Sequence, residues 1–476
     1  MNRAAAPALV VLAALLAASC AVGPAYTPPV VAAVPPSYKE LGEWKSAKPA
    51  DETHRGAWWE TFGDARLNAL EEQLTVSSQT LKAAQAQYVQ ARTLVRTARA
   101  AQVPQVTAAG AISENDVSAS KPLWNPTVDT RYADNLLHAD VSYELDVWGR
   151  VAKTVESSVA TAQASAADLE VVSLSLHAEL ALDYFQMRGL DAEKQILDAS
   201  VASYERALEL TRNRFNGGVA SGVDVAQAET QLESTRAQAI DIKARRAQFE
   251  HAIAALIGKP ASSFSLPSLP LDVAAPAIPP GLPADVLERR PDIAGAERRL
   301  AAANAQVGIA ASAFYPVLAL TGSTGFESAA LGDWLKLASN FWSAAATAAL
   351  TVFDGGKRRA ASDSARAGYE RAMAVYQDTV LTAFREVEDN LAALRILADE
   401  ATTQSAAVAA ADRLLTLANN RYKGGVTTYL EVATAQAAAL ANQRTAVNIE
   451  SRRLSASVLL VKALGGGWNR TSLPQW

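Results

Sequence analysis

The sequence predicts a mainly α-helical protein with a membrane β-barrel, in which a two-fold internal repeat of long coiled-coil helices carries four transmembrane strands per protomer. Three observations lead to this fold class. Proline is confined to a few stretches of the 476 residues, a glycine motif occurs twice in the same setting, and four short segments alternate apolar with polar side chains. Each observation predicts a part of the chain.

Proline placement divides the chain into two helix-rich blocks. No proline occurs from 127 to 259 or from 317 to 473, whereas eight prolines lie between 260 and 291. Because proline breaks helices, the segment between the blocks is a linker. The resulting domains are a first repeat at 61–259, a proline-rich linker at 260–291, a second repeat at 292–466 and a C-terminal tail at 467–476.

A motif recurs in both blocks, which indicates an internal repeat. RFNGGV at 214–219 returns as RYKGGV at 421–426, and Asp224 and Glu431 stand at the same distance beyond it. A glycine pair permits a tight turn between helices. Around these turns apolar residues alternate steps of three and four, which is typical of a coiled coil, with Arg246 as the strongest polar exception. We therefore predict helical hairpins at 151–258 and 357–464, with tips at Gly217, Gly218, Val219, Gly424, Gly425 and Val426.

Four segments follow a two-residue alternation that predicts strands. They form one β-hairpin at about 104–147 and another at about 315–353, and each segment has nearly the length of a membrane-spanning strand. A barrel needs about eight strands at least, so several protomers must share one barrel if these strands lie in a membrane, and three protomers would give a 12-stranded barrel. A small soluble β-domain with helical arms is the alternative.

The N-terminus reads as an export signal. Residues 1–19 combine Arg3, an apolar stretch and small residues that a signal peptidase accepts. The lone cysteine, Cys20, stands at the cleavage point, which predicts that it is lipidated. An ordinary signal peptide with an incidental cysteine is the alternative. Residues 20–60 are rich in proline and are predicted to form a tether that leads from the lipid to the first helical repeat.

Charge and composition exclude several functions. The net charge is −5, and the sequence has none of the clusters of basic residues that nucleic-acid binding requires. One cysteine and four histidines exclude disulfide frameworks and make a His/Cys metal site unexpected. Since no converging nucleophile, base or metal set is found, we expect neither an enzyme nor a bound cofactor. A conduit remains, with a non-channel periplasmic coiled-coil scaffold as its rival.

Several short motifs, taken in order, resemble the lipoprotein branch of the TolC-type outer-membrane factors. The resemblance covers essentially the whole chain. Singly the motifs are weak, and together they are specific; they are CAVGPAY at 20–26, WWETFGD at 58–64, LERRPDI at 287–293, FYP at 314–316 and VFDGG at 352–356.

The resemblance implies the exit duct of a tripartite efflux pump in the outer membrane of a Gram-negative bacterium. It implies a lipid-anchored homotrimer with a periplasmic helical barrel, which conducts substrates passively and meets a periplasmic adaptor protein and an inner-membrane RND-type pump. Its tip would be closable, and Asp224 and Glu431 are the gate candidates. Helix capping is the alternative role for both acids, because each lies in the first turn of a helix. Thr434 departs from the second acid of the family's tip. A type I protein-secretion duct is the alternative within the family.

Overall fold

A computed structural model describes residues 22–29, 34–41, 56–120, 122, 127, 129–278, 281 and 283–475, so the predicted signal segment 1–19 and Cys20 lie outside the described residues. The prediction of a mainly helical chain is confirmed. The described chain forms, in order, α1 (Ala65–Ser77), α2 (Gln79–Ala100), β1 (Gln105–Asp116), β2 (Arg131–Leu145), α3 (Arg150–Asn216), α4 (Gly222–Leu256), α5 (Pro283–Arg289), α6 (Pro291–Ser312), β3 (Val317–Ser328), β4 (Asn340–Ala349), α7 (Lys357–Lys423) and α8 (Tyr429–Ala463).

Four helices dominate the molecule. Helices α3 and α7 have 67 residues each, and helices α4 and α8 have 35 each. At about 1.5 Å of rise per residue, the longer pair extends roughly 100 Å. Each half of the chain thus contains one helix of each length. Within the described part of the chain, no helix combines the length and the apolarity needed to cross a bilayer.

Helix α3 is the central element of the helical part. It packs along α4 and α8 and also along α6, while α7 packs along α8 and α6. Each long helix therefore forms an antiparallel hairpin with the shorter helix that follows it. The two hairpins lie side by side through the contact between α3 and α8.

The strands form one antiparallel sheet in the order β1-β2-β3-β4. The central pairing sets Tyr143 of β2 opposite Leu320 of β3, which in turn lies opposite Ala346 of β4. The sheet thus joins the hairpin of the first repeat to the hairpin of the second. It leaves one edge of β1 and one edge of β4 without a partner among the described residues.

The largest buried core lies where α1 and residues 58–62 pack on the middle of α3, and we name this core the belt. Its aromatic members include Trp58, Phe62 and Phe185, which contact one another at ring-centroid distances of 5.0 to 6.3 Å. Burial of large aromatic side chains supplies most of the stabilisation of such a core. The belt holds the middle of the two long helices in one arrangement.

Buried charges tie other segments to the belt. The guanidinium group of Arg188 on α3 donates to the Asp64 carboxylate at 2.9 Å, to the Tyr184 hydroxyl at 2.6 Å and to the carbonyl of Pro270. The other oxygen of Asp64 accepts the backbone N–H groups of Arg66 and Leu67 and so caps α1. Arg188 therefore connects α1, α3 and the proline-rich linker.

A second buried pair lies between α1 and α3. Nδ1 of His177 lies 2.6 Å from the Glu71 carboxylate, and the Trp59 ring stacks on the imidazole at 4.4 Å. Burial raises the pKa of Glu71 to about 9 and lowers the pKa of His177 to about 4. One proton is therefore held on this pair over a wide range of pH.

We expect this pair to stabilise the fold most between about pH 4.5 and 6.5, where the unfolded chain also keeps one proton on these two groups. Above pH 6.5 the unfolded His177 loses its proton, whereas the folded pair keeps its own until about pH 9. Unfolding then releases a proton, so stability falls as the pH rises. Thermal unfolding of the wild type and of Glu71→Gln measures the effect. The difference in stability between the wild type and Glu71→Gln should shrink from pH 6 to pH 9. A difference that does not change with pH would contradict this prediction.

Candidate functional site: the sheet and the hairpin tips

One face of the sheet is apolar across all four strands. The register sets Val141 opposite Val106 on one side and opposite Gly322 on the other, and Gly322 faces Ala344. The alternating residues that predicted the strands therefore share a face. Its residues, named the apolar face, are Val106, Ala108, Gly110, Ile112, Leu137, Ala139, Val141, Tyr143, Leu318, Leu320, Gly322, Thr324, Phe326, Trp342, Ala344, Ala346 and Ala348.

Much of the apolar face is exposed among the described residues. Val106 is 66% exposed, Ile112 is 67% exposed and Trp342 is 76% exposed. Uncovered apolar surface on this scale marks a surface that meets a membrane or another protein. Further exposed aromatics, Phe314 and Phe353, flank the sheet at the end where it joins the helices.

The opposite face of the sheet is polar. It carries Asp140 and Glu144 on β2, Thr321 and Ser323 on β3, and Thr347 on β4. Strands with one apolar and one polar face are typical of barrels that separate lipid from water. The sheet therefore has the chemistry of a barrel wall.

A glycine in β3 allows close packing on this polar face. His138 on β2 lies directly opposite Gly325, and a Cβ atom at Gly325 would collide with the backbone of Leu137 and His138. Nε2 of His138 lies 3.1 Å from the Asp140 carboxylate. Gly325 thereby leaves room for this pair beside β3.

The sheet is also open. Its outermost strands, β1 and β4, each have a row of backbone groups that are unpaired among the described residues. Unpaired strand edges are not tolerated in a bilayer, because no water is present to satisfy their N–H and C=O groups. A sheet of this kind needs further strands at both edges before it can enter lipid.

The tips of the helical hairpins have the same geometry in both repeats. Gly218 and Gly425 adopt left-handed φ angles of 74° and 78°. Beyond them the N–H of Val219 donates to the carbonyl of Arg214, as the N–H of Val426 does to that of Arg421. Val219 is 69% exposed and Val426 is 71% exposed. The two valines therefore protrude at the ends of the hairpins.

An arginine and a tyrosine join the two hairpins at their tips. The guanidinium group of Arg214 donates to the carbonyl of Tyr422 and lies 4.6 Å from the centre of its ring. The Tyr422 hydroxyl donates in return to Oγ1 of Thr211 at 3.0 Å. These contacts hold the end of α7 against the end of α3.

The gate candidate Asp224 acts on both hairpins. One oxygen of its carboxylate forms a capping box with Ser221 at the start of α4. The other oxygen accepts the backbone N–H of Tyr429 at the start of α8 at 3.3 Å. A negative charge at two helix N-termini is favourable, because it lies near the positive end of both helix dipoles. Asp224 therefore caps α4, which is the alternative role considered for it, and also links the first hairpin to the second.

The other gate candidate, Glu431, makes its contacts within its own hairpin. Its carboxylate accepts from the Thr427 hydroxyl, and the Arg421 side chain lies 3.5 Å away. Sequence reasoning missed the partners Arg214, Tyr422 and Tyr429. The sequence did single out Tyr429 in one way: the equivalent position beyond the first glycine motif is occupied by Gly222, so the tyrosine is a difference between the two tips.

The described N-terminal segment, residues 22–29, follows α6 toward the sheet, and we name it the strap. The N–H of Val22 donates to the carbonyl of Trp148, between β2 and α3. Gly23 crosses α6 at Gly308 so closely that a Cβ atom at Gly23 would collide with the Gly308 backbone. The strap therefore ends beside the base of the sheet, two positions after Cys20.

Glu297 on α6 fastens the strap. Its buried carboxylate accepts from the Tyr26 hydroxyl and from the guanidinium group of Arg470, which lies 2.9 Å away in the C-terminal tail. Arg298 contributes a second positive charge. Both terminal segments of the described chain thus meet on one carboxylate.

A metal centre is not part of this arrangement. Among the residues that the structure describes, no group of three or more His, Cys, Asp and Glu side chains could hold a metal ion. The features found at the two ends of the protomer are the apolar face of the sheet and the contacts between the hairpin tips.

Comparison with known proteins identifies the family. The sequence model of a protein family described as outer membrane efflux protein matches residues 70–259 and 282–466. The toluene efflux pump outer membrane protein TtgI of Pseudomonas putida is 33% identical over 418 residues, which are 86% of this chain and 87% of the relative. Outer membrane protein OprJ of Pseudomonas aeruginosa is 32% identical over 467 residues, covering 96% of this chain and 95% of OprJ.

Solved structures have the same fold. The outer-membrane channel MtrE of Neisseria gonorrhoeae, solved in its open state, gives a TM-score of 0.82 at 28% identity, covering 95% of this chain and 99% of MtrE. VceC of Vibrio cholerae, an outer membrane protein, gives 0.82 at 28% identity, covering 88% of this chain and 100% of VceC. The two-faced sheet, the long hairpins and these matches together show that the chain belongs to the outer membrane efflux protein family.

Proposed function

We propose that this protein is the outer-membrane exit duct of a tripartite efflux pump and conducts substrates passively from the periplasm to the exterior. The observation that carries the proposal is the sheet with one apolar and one polar face, set on helices of 67 residues. Relatives named as efflux pump outer membrane proteins support it. In this function the apolar face lies against lipid and the polar face lines the water-filled interior.

The proposed duct is a homotrimer. One sheet contributes four strands with open edges at β1 and β4. If the β4 edge of each protomer pairs with the β1 edge of the next, three protomers close a 12-stranded barrel, above the minimum of about eight strands. The helical hairpins then form a tube beneath it, in the periplasm. Cyclic closure also removes every open edge, as the bilayer requires.

The strap supports lipid attachment at Cys20. Val22 is fixed beside the base of the sheet, and the exposed aromatic side chains of Phe314 and Phe353 lie at the same end of the sheet. An acyl chain two residues earlier would start at the height where aromatic side chains meet lipid headgroups. The proposed duct is thus held in the outer membrane by its barrel and by a lipid anchor.

We expect Cys20→Ser to abolish fatty-acid labelling of the mature protein, because the thiol is the only cysteine side chain available for acylation. Metabolic labelling with a fatty acid followed by purification measures it. Ala21→Ser, a neighbouring change that keeps the thiol, is the control and should label normally. Labelling that persists in Cys20→Ser would refute the anchor. Barrel insertion is expected to continue in the variant, since a single lipid contributes only modest membrane binding.

The tips are the proposed gate. In this arrangement Asp224 and Arg214 each join the first hairpin to the second. Opening a tube made of hairpins requires the hairpins to move apart at their tips, and these contacts oppose that movement. Three protomers would set three copies of Asp224 and three of Glu431 around the narrow end.

We expect Asp224→Ala and Arg214→Met to raise single-channel conductance in planar bilayers, since each removes a link between hairpins. Glu431→Ala should raise it less, because its observed contacts stay within one hairpin. Ser221→Ala is the matched control: it removes a cap worth about 1 kcal/mol but keeps the Tyr429 contact. Conductance equal to wild type in the first two variants would contradict the gate. Trimers that conduct no ions in any variant would contradict the duct itself.

The exposed ends of the hairpins are the proposed contact with the rest of the pump. Val219 and Val426 protrude beyond the glycine turns of the two repeats. A periplasmic adaptor protein would meet these tips, and an inner-membrane RND-type pump would lie beneath the adaptor. Efflux pump relatives of this chain support such partners.

A further inference from the structure

Helices α3 and α8 touch at two levels and separate between them. At the belt end, Gly189 of α3 contacts Ser451 of α8 so closely that a Cβ atom at Gly189 would collide with the serine hydroxyl. Closer to the tips, the hydroxyl of buried Tyr204 donates to the carbonyl of Gln436 at 3.1 Å. Between these contacts lies a groove of about 570 Å³. The groove is therefore bounded at both ends by packed helix contacts.

The walls of the groove are amphipathic, and the described residues that line it include no charged side chain. From α3 come Gln195 and Ala199, and from α8 come Ala439 and Gln443. The lining positions on each helix are three or four residues apart, so each wall is a single helix face. Small side chains leave the space open, and glutamine amides offer both donors and acceptors.

A third wall comes from the proline-rich linker, through Leu271. Buried charges hold this part of the linker in place. The Asp191 carboxylate accepts from Arg246 at 2.6 Å and from the N–H of Leu269 at 3.2 Å. Arg188 donates to the carbonyl of Pro270, the residue before Leu271. The groove is therefore formed before any ligand arrives.

We propose that this groove binds a neutral, amphipathic small molecule with an apolar body and at least one hydrogen-bonding group. Its volume falls in the range of small-molecule sites, roughly 300–1,000 Å³, and such sites combine apolar walls with a few polar groups. The absence of charge along the lining disfavours ions, because an ion would lose hydration without gaining a counter-charge. The glutamine amides fix the orientation of the bound molecule.

Binding here would favour the arrangement in which the two hairpins are joined at their tips. The groove exists in the arrangement that Asp224 and Arg214 hold together, so a ligand that contacts both α3 and α8 has more affinity for that arrangement. A ligand shifts a conformational equilibrium by its difference in affinity for the two states. This effect on the gate rests on the proposed function, whereas binding itself rests only on the groove.

The test uses two fluorescent probes that share one ring system. Phenylnaphthylamine is neutral and has one N–H group, and its sulfonated analogue is an anion. Each is titrated into the full-length protein in amphipol. We expect saturable fluorescence enhancement with the neutral probe, with an affinity at least about tenfold higher than that of the anion, a difference of about 1.4 kcal/mol.

Substitutions in the groove separate it from other apolar surfaces. Ala199→Trp should fill the groove and lower affinity for the neutral probe at least about tenfold, whereas Ala441→Trp, on the exposed side of α8, should leave it unchanged. Gln195→Leu changes an exposed side chain without filling the groove, and should lower affinity about threefold through the lost hydrogen bond. Binding that does not saturate, or that Ala199→Trp and Gln195→Leu both leave intact, overturns the site.

A second readout distinguishes this proposal from the duct. In planar bilayers the neutral probe should lower the conductance of the wild type but not of Ala199→Trp. If no variant conducts but saturable binding depends on Ala199, the duct fails and the groove stands. If the protein conducts and binding is absent, the groove fails and the duct stands.

Discussion

Replacement of Arg188 by methionine is expected to lower the stability of the protein by about 3–5 kcal/mol, because it leaves the Asp64 carboxylate buried without its cationic partner. Arg188 and Asp64 have side chains only 5% and 9% exposed. The loss would also free the linker at Pro270, which Arg188 holds through its carbonyl. Thermal unfolding of the solubilised protein, followed by circular dichroism, measures the effect.

The double variant Arg188→Met, Asp64→Asn is the control for the electrostatic part. It removes the uncompensated charge and keeps an oxygen that can cap α1, so it should recover a part of the loss. The surface pair of Lys194 and Asp198 is the matched comparison, because an exposed ion pair contributes about 0–1 kcal/mol. Equal midpoints for the wild type and Arg188→Met would show that the buried network contributes nothing measurable to stability.

The second large effect is expected at Ala346, near the middle of β4. The apolar face at this point consists of Ala346, Leu320 and Tyr143 on adjacent strands. Ala346→Arg should cost about 2–4 kcal/mol per protomer if this face meets the bilayer near its midplane. Three protomers would carry the change in one barrel. We therefore expect the proposed trimer, measured as a heat-modifiable band in outer-membrane fractions, to be strongly reduced.

Thr347→Arg is the matched control, since it places the same side chain one residue further, on the polar face of the sheet. A guanidinium group there would lie in a water-filled interior, and trimers should form nearly as in the wild type. Equal loss in both variants would contradict the assignment of the two faces. A larger loss in Thr347→Arg would place lipid on the opposite side.

The sequence predicted the parts of the fold that depend on local pattern. Helices of 67 residues follow from the absence of proline, and the hairpin turns follow from glycine pairs whose second member adopts a left-handed φ angle. The two-residue alternation predicted which strand residues share a face, because the side chains of a strand alternate between its faces. The register then aligned these faces across the sheet.

Contacts between distant segments could not be predicted from one sequence. The link from Arg214 to Tyr422 and the link from Asp224 to Tyr429 join residues more than 200 positions apart. No periodicity specifies such pairs, since they depend on how the hairpins lie beside each other. Arg246 illustrates the same limit: it was visible as a polar exception in an apolar pattern, while its buried partner Asp191 was not.

The contacts at Glu297 have an order in time. Tyr26 and Arg470 are more than 400 positions apart, yet both bind one carboxylate on α6. Because a polypeptide is synthesised from its N-terminus, Tyr26 and α6 exist before Arg470 does. The contact with Tyr26 can therefore form first, and Glu297 gains its Arg470 partner last. A chain truncated before residue 470 lacks that partner, and its buried carboxylate then has Arg298 as the remaining positive charge of the pair described above.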